Sequence, residues 1–322
     1  MFFLIAAFVW GLCYVLTPVV IALSWKVGAV DIPQDWRRMH RESVPRGGGV
    51  AIVLPFALGC ILTGRVTGAL SATLYGGVLM LSVGLLDDIF CLGPRLKLLL
   101  QLAASVSAVL LRGEVSGWQT LAAVLWVVAM TNAHNFVDGM DGLLSGCCAI
   151  EAAMLGGALF LVGERGSAGA AILLCVACLG FRPYNRHPAR VFAGDCGSES
   201  LGFLLGMLSL PLLFGTPTGL SSLSPLFLFA YPLADLIAAV LRRILRGRSP
   251  LSADRGHLHH RLYAAHLSVP ACVGALLSVC ASLGLVGLLL VLESLWILAS
   301  IACLLAVFVF VAVRNYVVSD RS

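Results

Sequence analysis

Five polar stretches of this chain hold residues suited to phosphate and a hard cation. Asp87-Asp88 precede Gly93-Pro94-Arg95-Leu96-Lys97. Adjacent carboxylates raise one another's proton affinity, which favours one as a proton acceptor. Neighbouring helical residues point about 100° apart, so the two would not serve one ligand atom in the same way. Cys91 stands where a prenyl-diphosphate signature would need a third aspartate. The island Asn132 to Gly142 carries Asn135, Asp138 and Asp141, the two acids three apart and on one face if helical. Its Gly139 and Gly142 permit tight turns or close ligand approach, and it lacks the remaining oxygens of a calcium loop. Between Phe181 and Ser198 lie Arg182, Arg186, Arg190, Phe192 and Asp195, the last bracketed by Gly194 and Gly197. That set suits a metal-bound nucleotide diphosphate: a carboxylate for the cation, backbone amides for phosphate, a ring to stack on a base. The stretch Ser249 to Leu262 holds His257, His259 and His260 between Arg255 and Arg261. Three imidazoles and one acid among arginines suit phosphate oxygens better than zinc. The loop Asp31 to Gly49 adds Arg37, Arg38 and Arg46 beside three glycines. Structural alternatives stay open at this point: a solvated helix end at Asp87-Asp88, caps at Asn135, Asp138 or Asp195, and a lipid-facing basic segment in the first loop.

The elements that must position these residues are membrane helices. The chain has 322 residues, 60% hydrophobic and 11% charged, with mean hydropathy +0.98, which excludes an ordinary soluble domain and predicts an all-α polytopic bundle. A bilayer core of about 30 Å needs roughly 20 helical residues, and runs of that size predict eleven spans. They cover about 2–24, 47–64, 69–86, 96–112, 118–133, 142–162, 167–181, 198–215, 222–241, 270–292 and 294–313. The first reads as an uncleaved span, because it lacks a basic start and exceeds a signal-peptide core. With the loop 25–46 placed inside, only Arg65, Arg112 and Arg165 of the 21 lysines and arginines fall outside. That asymmetry predicts an external N-terminus and a cytoplasmic C-terminus. All seven histidines fall on the same inner side. An aspartate at the centre of a span costs about 2.5–3.5 kcal/mol, so the island must lie at a membrane boundary or face a wet cavity. The scattered cysteines suggest no disulfide framework, and Cys175 and Cys178 read as inert helix residues. Glu151 in the sixth span has no evident partner in the sequence, and Asp235 lies two helical turns before Arg242, on one face.

Four motifs in this order resemble those of the polyprenyl-phosphate N-acetylhexosamine-1-phosphate transferases, bacterial glycosyltransferase family 4. They are Asp87-Asp88, Asn135-Phe136-Val137-Asp138-Gly139-Met140-Asp141-Gly142-Leu143, Phe192-Ala193-Gly194-Asp195-Cys196-Gly197-Ser198 and His257-Leu258-His259-His260-Arg261. The resemblance spans nearly the whole chain and implies a single transferase domain. Loops 25–46, 87–95, 134–141, 182–197 and 242–269 would form its cytoplasmic active site. It implies attack by undecaprenyl phosphate on the sugar-linked phosphorus of a UDP-sugar, releasing UMP. The cofactor would be Mg²⁺, with Mn²⁺ as a substitute, and the setting a bacterial inner membrane. The interrupted His-x-His-His run is similar to the branch that uses UDP-N-acetylglucosamine for O-antigen, common-antigen or teichoic-acid synthesis. Fucosamine, quinovosamine and muramyl-pentapeptide donors remain alternatives.

Carried over, Asp195 would hold the metal with Asp88 in support, and Asp87 would orient or deprotonate the lipid phosphate. Asn135, Asp138, Asn185 and Phe192 would hold uridine. His257, His259, His260 and Arg261 would engage the diphosphate and sugar, Lys97 and Arg46 would touch phosphate, and Asp141 would support the loop. Membrane lipids are the surroundings, a homodimer is compatible, and no nucleic acid is implied. The competing class is a transporter of sugar nucleotides or lipid-linked anions that would use Asp235 and Glu151 as intramembrane acids.

Overall fold

In lipid a backbone can satisfy itself only as a helix or a closed barrel, and the long apolar runs of this chain fold as helices. The computed structural model describes residues 1–32, 43–64, 66–215, 219–249 and 256–292. Helix α1 (Phe2–Val27) ends at Gly28 in the left-handed region. A small antiparallel pair follows, β1 (Val30–Asp31) with β2 (Val44–Pro45), in the register Val30 to Pro45 and Asp31 to Val44. Then come α2 (Gly48–Leu62), α3 (Gly68–Phe90), α4 (Pro94–Arg112), α5 (Trp118–Val137), α6 (Leu143–Leu161), α7 (Arg165–Asn185) and α8 (Gly194–Phe214). A 3₁₀ turn at Gly219–Leu223 leads into α9 (Ser224–Leu228), α10 (Ala230–Leu245), α11 (Leu258–Ala264) and α12 (Val269–Leu290).

Among the described residues, eight helices are long and apolar enough to span a bilayer, or nine if the α9–α10 pair counts as one. This multi-pass helical bundle matches the predicted class, with three differences from the eleven expected spans. Helix α2 has only 15 residues. The run 222–241 breaks at Phe229 with a 69° bend. Pro232 explains the break, since its ring clashes with the carbonyl four residues back and offers no amide to it. The run 294–313 lies outside the described residues.

Helix α8 is the axis of the bundle. Its most apolar stretch is 89% buried, against 28% for α1, and α3, α5 and α2 pack around it. Small residues allow this closeness, as is usual between membrane helices. A Cβ at Gly202 would collide with the Met130 carbonyl of α5, and one at Gly84 or Gly49 with the backbone of Cys196 or Gly197. The first turn of α8 is thus clasped by α2 and α3 at one end of the molecule, where the polar motifs collect.

Candidate active site

The start of α8 is made by Gly194, whose φ of 74° suits glycine, and its first free amides are taken by α3. Asp88 Oδ1 accepts from Asp195 N at 2.9 Å and Oδ2 from Cys196 N at 3.0 Å. This is a charge-assisted cap supplied across helices, at the end of the helix dipole that favours an anion. Asp88 holds Asp195 in place, and both its carboxylate oxygens are engaged in doing so.

Asp87 points to the other side. Its Oδ1 accepts from Leu92 N at 2.7 Å, fixing the turn after α3, and its Oδ2 lies 2.7 Å from Lys97 Nζ. The same ammonium lies 2.7 Å from Asp195 Oδ1 and 2.6 Å from Glu199 Oε1. Asp195 and Glu199 are four residues apart and share a face of α8. Asn135, at the end of α5, donates to both, at 2.8 and 3.3 Å. Oxygen atoms of Asp87, Asp195 and Glu199 fall within 4.8 Å of one another. Such a set of carboxylate donors fits a hard divalent cation such as Mg²⁺.

A cavity of ≈ 320 Å³ opens onto this cluster, with Asn135 and Asp195 in its wall beside Asp138, Arg46, Phe192 and His260. Arg46 is held by Asp31 at 3.0 Å, and Ser24 donates to its carbonyl. The backbone of Phe192 joins the strand and α2: its amide donates to Pro45 O at 2.9 Å, and its carbonyl accepts from Gly48 N at 3.1 Å. Burial, and then the negative charge of Asp195, push the Asp138 carboxyl up to about 7, against the pull of Arg46. Asp141 accepts from Ala189 N at 3.1 Å and pairs with His187 Nδ1 at 2.7 Å, pinning the turn between α7 and α8.

The histidine loop meets the cavity from the other wall. Asp235 of α10 binds His257 Nδ1 at 2.8 Å and Leu258 N at 3.1 Å, so it orients the ring and caps α11. The sequence pairing of Asp235 with Arg242 is thereby replaced by His257. The Phe136 ring packs edge-on to His257 at 5.0 Å, with the Arg243 guanidinium 5.0 Å from its centroid. His259 is 1% exposed, and neither ring nitrogen has a hydrogen-bond partner. It lies where a Cβ on Gly139 would stand. Burial, with His260 and His257 adjacent, holds its pKa down at about 3.

The structure therefore gathers Asp87, Asp88, Lys97, Asn135 and Asp195 into one cluster and places Arg46, Asp138, Asp141, Phe192 and His260 around the adjoining cavity. His257 and His259 lie behind His260, and Arg261 is exposed on α11 away from the cavity lining. Asn185 is not brought to the cavity. It is 2% exposed, accepts from Ser145 Oγ at 2.8 Å and donates to Val191 O at 3.0 Å, tying α6 to the α7–α8 turn.

Glu199 escaped the sequence reading, although its spacing of four from Asp195 was a local signal. His134 stands in the polar island, but nothing in the sequence pairs it with Glu151: its Nε2 lies 2.7 Å from Glu151 Oε2, and its Nδ1 2.8 Å from Met130 O. Both side chains are wholly buried, and the acid that lacked a partner in the sequence has one.

Glycosyl transferase family 4 matches residues 70–212. The probable undecaprenyl-phosphate N-acetylglucosaminyl 1-phosphate transferase of Bacillus subtilis (strain 168) is 34% identical over 283 residues, covering 82% of this chain and 78% of its own. The decaprenyl-phosphate N-acetylglucosaminephosphotransferase of Mycolicibacterium smegmatis is 33% identical, over 77% of this chain and 72% of its own. The undecaprenyl-phosphate alpha-N-acetylglucosaminyl 1-phosphate transferase of Escherichia coli (strain K12) is 32% identical, over 74% and 70%. Likeness of this extent, with Asn135, Asp138, Phe192, Asp195 and His260 of the four motifs lining one cavity of a multi-pass bundle, shows that the chain belongs to the polyprenyl-phosphate N-acetylhexosamine-1-phosphate transferases, as a phosphotransferase of the N-acetylglucosamine-1-phosphate branch.

Proposed function

We propose that the protein transfers N-acetylglucosamine 1-phosphate from its UDP-sugar to undecaprenyl phosphate on the cytoplasmic face of a bacterial inner membrane, opening a cell-envelope polysaccharide pathway. The observation that carries this is the adjacency of the carboxylate cluster to a cavity lined by Arg46, Asn135, Asp138, Phe192 and His260. The basic inner loops support the orientation, and the His-x-His-His run supports the donor.

In the reaction an oxygen of the lipid phosphate bonds to the sugar-linked phosphorus. The bond from that phosphorus to the bridging oxygen breaks, and UMP leaves with the electron pair. No proton need move, so an acceptor phosphate that arrives ionised requires orientation more than a base, and direct attack suffices. Its difficulty is charge: two unit charges at 4 Å repel by about 4 kcal/mol at an effective dielectric of about 20. Mg²⁺, held by Asp195 and Asp87, would supply charge neutralisation at the diphosphate. Arg46 and Lys97 add cationic donors, Asp138 and Asn135 face the nucleotide, and Phe192 offers its ring to the base. Asp88, with both oxygens on α8 amides, positions Asp195. The acids that a transporter would need are already committed, Glu151 to His134 and Asp235 to His257.

Membranes containing the protein, given UDP-N-acetylglucosamine, undecaprenyl phosphate and Mg²⁺, should release UMP. Asp195→Asn should lower the rate at least ~10²-fold, on the scale of losing a principal electrostatic contact. Ordinary turnover by that variant defeats the metal assignment, and release of UMP from UDP-fucosamine-type donors alone defeats the donor assignment.

A further inference from the structure

The Lys97 ammonium occupies the place a divalent cation would contest. Its three donors meet three carboxylates, Asp87 Oδ2 and Asp195 Oδ1 at 2.7 Å and Glu199 Oε1 at 2.6 Å. A lysine has three N–H groups and no acceptor, so this one is saturated. Three buried or half-buried acids would repel one another without it, and the same three carboxylates each have an oxygen close enough to the others' to share a metal ion. Glu199 is the innermost. It is 0% exposed, and its second oxygen, Oε2, closes no hydrogen bond of ordinary geometry, although the Gln101 amide lies near the carboxylate. A buried carboxylate oxygen so weakly partnered is costly, and a cation would relieve it.

We propose that Glu199 is a third carboxylate of the cation centre and that Lys97 is the resident counter-ion of that centre, which the divalent cation displaces toward the phosphates in the cavity. This rests on the metal reading above and deepens it. The ammonium and the metal ion compete for the same oxygens, so the free protein binds metal weakly. The released lysine, on its flexible four-carbon stem, gains a new partner only when a diphosphate is present. Cation and nucleotide then favour each other's binding reciprocally. Glu199 serves both states: it holds the ammonium in one and the metal ion in the other.

The test is Mn²⁺ binding to the detergent-solubilised full chain without nucleotide, followed by electron paramagnetic resonance of the free ion. Lys97→Met should bind Mn²⁺ about tenfold more tightly than wild type, and Glu199→Gln about tenfold more weakly, the range seen when a supporting group of a metal site is lost. Lys97→Gln, which keeps a donor for the carboxylates, carries the same expectation should Lys97→Met fail to give a monodisperse protein. Unchanged or weaker binding in the lysine variants overturns the exchange, and unchanged binding in Glu199→Gln removes Glu199 from the centre. Asp195→Asn separates these failures from that of the metal reading: if it binds Mn²⁺ as wild type does, the cation is not held here at all.

Discussion

Asp88 and His259 show how residue types read from sequence acquire their roles from neighbours. Asp88 reads as half of a catalytic pair, yet both its oxygens bind amides of α8. Asp88→Asn keeps one acceptor and should lower the melting midpoint in proportion to a loss of about 1–2 kcal/mol. If midpoint and activity are both unchanged, the cap is not what holds Asp195. His259 is neutral in the fold, with a pKa held near 3 against 6.5 in the free side chain. The unfolded chain therefore binds the extra proton between these values, and its contribution to stability, complete above pH 6.5, declines as pH falls, by about 2 kcal/mol at pH 5. Midpoints at pH 7 and 5 should accordingly converge in His259→Gln relative to wild type. Asp195, Asp138 and Asn135 were legible in the sequence because polar residues beside membrane spans are conspicuous. Glu199 was less so, lying one turn inside an apolar run. The His134–Glu151 pair was not legible, because two residues seventeen apart on successive helices meet only through tertiary packing.

At the scale of elements, glycines fix how closely helices approach the site. A Cβ at Gly84 would meet the backbone of Cys196, which cannot swing aside as a side chain can. Gly84→Ala should displace the first turn of α8, lowering stability by about 1–3 kcal/mol and activity with it. Gly274→Ala in α12, where an added Cβ meets nothing within 4 Å, should instead stabilise by up to about 1 kcal/mol through helix propensity. Equal effects of the two substitutions, measured as thermal midpoints in one detergent, would remove the close-approach argument. Most spans were legible as unbroken apolar runs. The break at Phe229 was visible only as Pro232, whose effect a hydropathy count ignores. The β1–β2 pair, two residues per strand, is too short to show any alternation.

For the whole molecule, sidedness is open to a direct measurement. Among the described residues Cys91 is the one exposed cysteine, at the end of α3 beside the site. A membrane-impermeant maleimide should label it in inverted vesicles and not in right-side-out ones, with Cys91→Ser as the blank. Labelling of right-side-out vesicles alone would reverse the topology. The charge asymmetry that predicts this orientation was legible without any structure, whereas the depth of the site was not, because depth depends on where helices stop relative to one another. Helix α2, with 15 residues, rises ~22 Å, and α3 rises ~24 Å from Gly68 to Gly84, the residue that touches the start of α8. A hydrocarbon layer of about 30 Å is deeper than either by ~6–8 Å, and tilt only increases the shortfall. Measured from the far ends of these two helices, the turn that carries Asp195 is therefore reached before a full hydrocarbon depth has been crossed, like the floor of a well. In the proposed reaction, a lipid-borne phosphate would come alongside such a floor with its isoprenoid tail still in oil, while the soluble nucleotide would descend from above.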